Sequence, residues 1–260
     1  MELDETMITL FDMASTMPRQ AFSAAAWKTR YALNFKNLQF KTHWLEPVEI
    51  QAFLKQLGAR PTMHANDTAI YTIPVIYDPK TKRCVSESFD IAEYLDETYP
   101  HEPKLMQSGV KDFDHAFSKE MFTLYPFVIP PSIKIVREPS KAYFRATREA
   151  FLQKPLEDAI PKGEERATEW AKLKKAFTGF AGWSDDKVDN SREPGSESDG
   201  KNKWVLGNTP SYADLIVSAH LMWIIRVLGE DSPEWVDLKQ WDGGRWGRLL
   251  EEFRIYEGTD

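Results

Sequence analysis

The chain has 260 residues, of which 42% are hydrophobic and 28% charged, and this length predicts one large domain or two small ones. Its nine Trp, nine Tyr and fifteen Phe residues supply enough apolar surface for a sizeable core, which excludes disorder over most of the chain. The net charge of −7 argues against nucleic-acid binding, because such proteins normally carry a basic excess or stripe.

The sequence lacks the motifs that are typical of several common classes of protein. The longest uninterrupted apolar run near the C-terminus, residues 221–225, is far shorter than the ~20 residues that cross a bilayer. The acidic start MELDETM lacks the basic residues of a signal or transit peptide. A single cysteine, Cys84, excludes an intrachain disulfide, and the histidines show no metal-binding spacing. We therefore expect a cytoplasmic protein with no metal and no membrane partner.

The first hundred residues alternate between strand and helix signals. Strands are predicted from short β-rich runs, and helices from apolar residues three or four apart. This βαβαββα order predicts a small α/β sandwich. The predicted elements are a strand at 7–13, a loop at 14–23, a helix at 24–35, a strand at 40–45, a helix at 49–57, a hairpin of 73–77 with 84–86, and a helix at 88–98.

Beyond residue 100 only helix signals appear. Residues 101–110 are predicted to be a linker, so that an α/β domain (1–100) precedes an all-helical domain (111–260). Pro126 and the pair Pro130-Pro131 are expected to kink or end the first helix, because proline lacks the amide hydrogen. Residues 184–203 contain one large apolar residue, Val188, which predicts a surface loop. The predicted helices are 111–125, 140–153, 162–180 and 212–228, followed by a tryptophan-rich C-terminal segment.

A proline lies at the mouth of a predicted buried strand, which is an unusual place for this residue. If the Pro74 peptide bond is cis, Ile73 turns its backbone outward toward a ligand along the strand edge. Ser88 opens the next helix, where free amide hydrogens favour a carboxylate, and Glu87 can pair with an amine. Together they fit an α-amino-acid head group. The same residues also fit a plainer pattern, in which Pro74 is an edge residue and Ser88 only caps its helix.

These motifs carry a family resemblance. The N-terminal half resembles the thioredoxin-like domain of glutathione transferases, in which a proline starts the third strand and an acidic or amide residue precedes a serine at the third helix. Pro74 and Glu87-Ser88 match that signature in position and order. The second half resembles the helical domain of the same family, because Ser211 and Asp214 have the spacing of its capping box. The stretches WKTRYALNFKNLQFKTHWLE and ESFDIAEYLDETYP further resemble fungal-specific class A transferases, which are related to bacterial glutathione-dependent β-etherases.

The resemblance implies a thioredoxin-like domain followed by an all-helical domain, glutathione as co-substrate, and a homodimer. It implies attack of the glutathione thiolate on hydrophobic electrophiles or peroxides, together with binding of aromatic secondary metabolites. Two alternatives stay open: a glutathione-dependent β-etherase, and a ligandin that binds aromatic compounds and turns over poorly. Within the resemblance, glutathione is held by Ile73, Pro74, Glu87 and Ser88, while His64 lies in the region that reaches the glycine carboxylate.

The loop before the first helix carries the candidate for sulfur activation. In the family a Ser, Tyr or Cys at this place contacts the glutathione sulfur, and Ser23 aligns with the serine of related classes. A hydroxyl donor and a helix N-terminus both favour the thiolate, which is the nucleophile. Because Ala24-Ala25 follows where relatives have a proline and a polar residue, a plain N-cap role stays open. Ser15 is a weaker candidate, and Tyr31 is expected in the core.

The resemblance places the acceptor site against the helix at 121–127. Aromatic and methionine side chains suit flat aromatic ligands, although each candidate also fits helix-bundle core. A cysteine-type transferase would carry its cysteine in the loop at 14–24, where none exists. Cys84 is expected to be a buried strand residue, so we predict a serine-type enzyme without deglutathionylating activity. The candidates for the acceptor pocket are Met17, Phe22, Met121, Phe122 and Tyr125.

Overall fold

The computed structural model describes residues 4–65, 68–100, 103–183 and 203–258. The first part of the chain is an α/β unit in which strands and helices alternate before a run of four strands leads into the last helix. This order confirms the predicted βαβαββα arrangement, with one additional hairpin. The elements are β1 (Ile8–Met13), α1 (Ala24–Phe35), β2 (Phe40–Leu45), α2 (Ile50–Leu57), β3 (Met63–Ala65), β4 (Thr68–Ile70), β5 (Val75–Asp78), β6 (Arg83–Ser86) and α3 (Ser88–Thr98).

A four-stranded sheet in the order β2-β1-β5-β6 forms the centre of this unit. β1 pairs parallel with β2 and antiparallel with β5, so both of its edges are hydrogen-bonded, and it is buried along its whole length. Successive strand residues point to opposite faces. Leu10 accordingly packs in the core shared with α1, α3 and the helical part, whereas Phe11 packs in a smaller core beneath α2.

The hairpin of β3 and β4 was not predicted. Its strands have three residues each, which is too short for an alternating pattern to be recognised. No strand was therefore predicted between the helix at 49–57 and the hairpin of 73–77 with 84–86.

The second part of the chain is helical, as predicted. α9 is buried on almost every side from Tyr212 to Met222, and it packs directly against α1 of the α/β unit. No helix among the described residues is both long and apolar enough to span a membrane. The helices are α4 (Val110–Glu120), α5 (Tyr125–Val128), α6 (Glu138–Leu152), α7 (Leu156–Ala159), α8 (Gly163–Ala181), α9 (Tyr212–Leu228), α10 (Pro233–Leu238) and α11 (Trp241–Phe253).

The predicted helix at 111–125 is wrong at its C-terminal end. α4 stops at Glu120, a 3₁₀ turn follows over Met121–Thr123, and α5 begins at Tyr125 with Pro126 in its first turn. Proline is tolerated there because first-turn amides have no partner within the helix. The loop predicted at 184–203 lies outside the described residues except for its last position.

A buried ion pair joins α1 to the central strand. The guanidinium of Arg30 donates to the Asp12 carboxylate at 3.1 Å and to the Thr42 hydroxyl at 3.1 Å. The Arg30 and Asp12 side chains are 0% and 1% exposed. This pair fixes the helix that begins at the candidate site against the sheet.

Candidate functional site

The strand proline takes the conformation that the ligand-binding alternative requires. The Ile73–Pro74 peptide bond is cis. Pairing between β5 and its neighbours begins at Val75, opposite Phe11 and Ser86. Ile73 therefore lies outside the strand ladder, at the edge where the predicted ligand would run.

The turn between β6 and α3 brings Glu87 and Ser88 together at a helix N-terminus. Glu87 is the N-cap residue, with a φ of 76° that non-glycine residues seldom adopt. Its side chain makes no capping hydrogen bond. Burial raises the pKa of the Glu87 carboxyl, and the charge of Lys28 opposes that shift. Ser88 is the first residue of the helix rather than its cap, so the plainer pattern, in which Ser88 only caps α3, is wrong.

A tyrosine that the sequence analysis missed links this turn to the helical part. Tyr212, at the start of α9, is fully buried and donates its hydroxyl hydrogen to the carbonyl oxygen of Ser88 at 2.7 Å. The preceding residue, Ser211, gives its amide hydrogen to the Asp214 carboxylate at 2.8 Å, as its predicted capping box requires. The one available signal was position, because Tyr212 directly follows the N-cap serine of that box.

Ser23 precedes α1 and has a side chain that the helix does not use. Its carbonyl accepts the amide hydrogen of Trp27 at 2.9 Å, but its side chain makes no capping hydrogen bond. Ser23 thus caps α1 through its backbone, and Ser23 also lines a cavity. The weaker candidate, Ser15, is placed differently. Its hydroxyl donates to the Gln20 carbonyl at 2.6 Å and accepts from the Met17 amide at 3.1 Å, within the loop.

The cavity beside Ser23 has a volume of about 270 Å³ and lies between the α/β unit and the helical part. This is close to the lower end of the range for small-molecule pockets. Aromatic and aliphatic side chains make up more than half of its lining residues, which also include serines and cations. They are Met13, Phe22, Ser23, Ala24, Ala25, Lys28, Ser118, Tyr125, Ile129, Ser132, Phe144, Arg148, Phe151, His220 and Trp223.

The structure brings two of the five predicted acceptor residues to this cavity, Phe22 and Tyr125. Met121 is fully buried in the helical core, because the change from α4 to a 3₁₀ turn alters the direction of its side chain. Phe122 is 58% exposed, with its ring 5.2 Å from that of Tyr125. Met17 packs at the edge of the small core beneath α2. The prediction that Met17, Met121 and Phe122 line the cavity is therefore wrong.

Two nitrogen-bearing side chains in the cavity wall, those of His220 and Lys28, have pKa values that burial lowers. His220 lies 2.8 Å from the Ile216 carbonyl through Nδ1, and burial lowers its pKa to about 3. Because a carbonyl can only accept, Nδ1 carries the proton of the neutral ring and Nε2 is left as an acceptor. Burial also lowers the pKa of Lys28, opposed by the charges of Asp114 and Glu87.

Two further candidates lie away from the cavity wall. His64 is exposed on β3, opposite Ala69 of β4, and its contact with glutathione remains a prediction. Cys84 is half-buried, and burial raises the pKa of its thiol, which disfavours the reactive thiolate. Among the described residues, no group of three or more His, Cys, Asp or Glu side chains is placed to hold a metal ion.

Comparison with known proteins gives matches over nearly the whole chain. Residues 22–98 match the glutathione S-transferase N-terminal domain, and residues 110–256 match the glutathione S-transferase C-terminal domain. The glutathione S-transferase CsGST63524 of Ceriporiopsis subvermispora, solved in complex with glutathione, is 36% identical with a TM-score of 0.88, covering 97% of this chain and 98% of that one.

Two further relatives extend the comparison. Glutathione transferase GSTFuA3 from Phanerochaete chrysosporium is 33% identical with a TM-score of 0.84, over 97% of this chain and 98% of its own. The glutathione S-transferase-like protein ustS of Aspergillus flavus is 26% identical, over 95% of this chain and 89% of that protein.

Proposed function

The chain belongs to the glutathione S-transferase family, and we propose that it is a serine-type enzyme of the fungal-specific class A kind. It joins the glutathione thiol to hydrophobic electrophiles, and Ser23 activates the sulfur. One observation carries this proposal: Ser23 lies in the wall of a cavity lined in part by aromatic side chains, and its side chain makes no capping bond to its own helix. The hydroxyl is therefore available to a sulfur atom placed in the cavity.

Glutathione is proposed to lie along the edge of the α/β unit, with its γ-glutamyl end at the start of α3. There the Ser88 hydroxyl and the first-turn amides would receive the carboxylate, since these amides have no partners within the helix. The Glu87 carboxylate would pair with the amine, and the Ile73 backbone would bind the middle of the peptide. Support comes from CsGST63524, which was solved in complex with glutathione.

The reaction follows from the position of Ser23. A thiolate beside α1 would accept a hydrogen bond from the Ser23 hydroxyl, and the unpaired amides at Ala24 and Ala25 add the positive field of the helix start. The thiol proton passes to solvent. The sulfur lone pair then forms a bond to the electrophilic carbon, and the leaving group departs with its bonding electrons.

A second candidate function is binding of aromatic compounds with little turnover. The observation that favours it is the aromatic wall of the cavity, where the Tyr125 ring lies 5.8 Å from that of Trp223. Assays with glutathione and an aryl halide, a hydroperoxide or an aryl ether separate conjugation, peroxide reduction and etherase activity. Binding of aromatic compounds without any turnover would favour the ligandin.

The proposal includes a cytoplasmic homodimer. Sedimentation of the purified protein would test the oligomeric state, and microscopy of a tagged chain would test the location.

Replacing Ser88 with alanine should weaken glutathione binding about ten- to a hundredfold, because hydrogen bonds to a charged group contribute ~1.5–3 kcal/mol. Isothermal titration calorimetry measures this change. Ser232→Ala is the matched control, since Ser232 caps α10 through its hydroxyl, 3.3 Å from the Trp235 amide. The control should lower thermal stability and leave glutathione affinity intact. Unchanged affinity in Ser88→Ala would contradict the proposed site.

Replacing Tyr125 with alanine should weaken binding of an aromatic ligand about three- to tenfold, because ring pairs contribute ~0.5–1.5 kcal/mol beyond their buried area. Displacement of an environment-sensitive dye reports the affinity. Phe122→Ala is the control, since that ring is 58% exposed and outside the cavity wall. Equal weakening by both variants would place the ligand on the outer surface.

A further inference from the structure

The charges around the cavity are not balanced. Two cations, Lys28 and Arg148, are among its lining residues, and none of those residues is an Asp or Glu. The charges of the Asp114 and Glu87 carboxylates act on Lys28. Among the described residues, no carboxylate lies within ion-pair distance of Arg148.

The neighbouring arginine of α6 differs from Arg148 in its partners. Arg145 contacts Glu149 at 2.9 Å and Glu157 of α7 at 2.8 Å. Arg148 is half-buried, and its guanidinium lies 5.1 Å from the Phe144 ring centre. Burial lowers its pKa, yet a guanidinium remains protonated at neutral pH.

An unpaired cation in a partly apolar cavity is unfavourable unless an anion joins it. A guanidinium presents paired donors that match the two oxygens of a carboxylate. Aromatic rings line the same space, including those of Phe22, Phe144 and Trp223. A ligand that satisfies both features has an aromatic ring and a carboxylate.

We propose that Arg148 is a specificity-determining residue that selects aromatic carboxylates for the acceptor cavity. The carboxylate lies against the guanidinium and the ring lies among the aromatic side chains. This inference deepens the proposed function by naming the class of acceptor. The preference of the cavity for aromatic carboxylates holds whether or not the bound compound reacts with glutathione.

The first test uses probes that cannot react, 3,5-dinitrobenzoate and its neutral amide, 3,5-dinitrobenzamide. Calorimetry at low ionic strength should show the benzoate binding at least tenfold more tightly to the native protein. Arg148→Met keeps the aliphatic packing on Phe144 and should bring the two affinities together by weakening the benzoate. Arg148→Lys should restore part of the preference. Arg145→Met, on the same helix outside the cavity, should leave it unchanged.

Three results of the comparison between the two probes would overturn the inference: equal affinity of the native protein for both probes, a preference that survives Arg148→Met, or loss of the preference in Lys28→Met alone. Weaker glutathione binding in Arg148→Met with unchanged probe binding would also overturn it, because the cation would then serve the co-substrate.

A kinetic arm uses 4-chloro-3,5-dinitrobenzoate and the matching amide with glutathione. Arg148→Met should raise KM for the benzoate alone, by about the factor lost in probe binding. Absence of turnover with both compounds, alongside the charge preference in binding, would contradict the transferase proposal and leave the inference standing.

Discussion

Replacing Ser23 with alanine should slow turnover with a model aryl halide by about ten- to a hundredfold. A charge-assisted hydrogen bond contributes ~1.5–3 kcal/mol, and a factor of ten in rate corresponds to about 1.4 kcal/mol. The affinity for glutathione should change little, because the peptide ends of the molecule are proposed to bind at Ile73, Glu87 and Ser88. Steady-state kinetics and calorimetry on the same preparations measure both quantities.

Ser15→Ala is the control for this loop. The Ser15 hydroxyl is hydrogen-bonded to Gln20 and Met17 within the loop, and it does not line the cavity. Its removal should lower stability without the same loss of turnover. Full activity of Ser23→Ala would contradict the serine-type assignment and leave the amides at the start of α1 as the source of activation.

The second large effect concerns stability. Asp12→Ala should lower the free energy of unfolding by about 3–5 kcal/mol, because it leaves the Arg30 guanidinium buried without the partner carboxylate. The geometry supports this expectation, since both side chains are almost completely buried. Equilibrium denaturation in urea, followed by tryptophan fluorescence, measures the difference.

Glu251→Gln is the matched control for a surface ion pair. Glu251 contacts Arg254 at 2.7 Å, but the two side chains are 68% and 61% exposed. Exposed pairs contribute less than about 1 kcal/mol. A similar small loss in both variants would show that the buried pair has no special role in holding α1 on the sheet.

Much of the fold could be predicted because local signals mark where its elements end. α9 begins directly after the N-cap serine of a capping box and ends before Gly229, and its predicted range agrees with the structure at both ends. α2 similarly ends before Gly58, whose φ of 79° suits glycine. Where such signals are weak, as in the three-residue strands β3 and β4, the sequence did not indicate the element.

The cavity could be predicted only in part, because its wall is assembled from distant segments. Phe22 and Ser23 come from the loop that precedes α1, and the pattern in that loop identified both. Arg148 and Trp223 lie on α6 and α9, and no local motif shows that these helices face the same space. The direction of the Met121 and Phe122 side chains depends on the 3₁₀ turn, which helical periodicity does not show.

Titration of the glutathione thiol in the complex tests the central claim most directly. Absorbance of the thiolate in the ultraviolet, measured against pH for the native protein and for Ser23→Ala, gives the pKa of the bound sulfur. The account predicts that the bound thiol titrates roughly one to two pH units below free glutathione, and that Ser23→Ala raises this pKa by about one unit. Identical titration curves for the native protein and the variant would contradict the role of Ser23 in activating the sulfur.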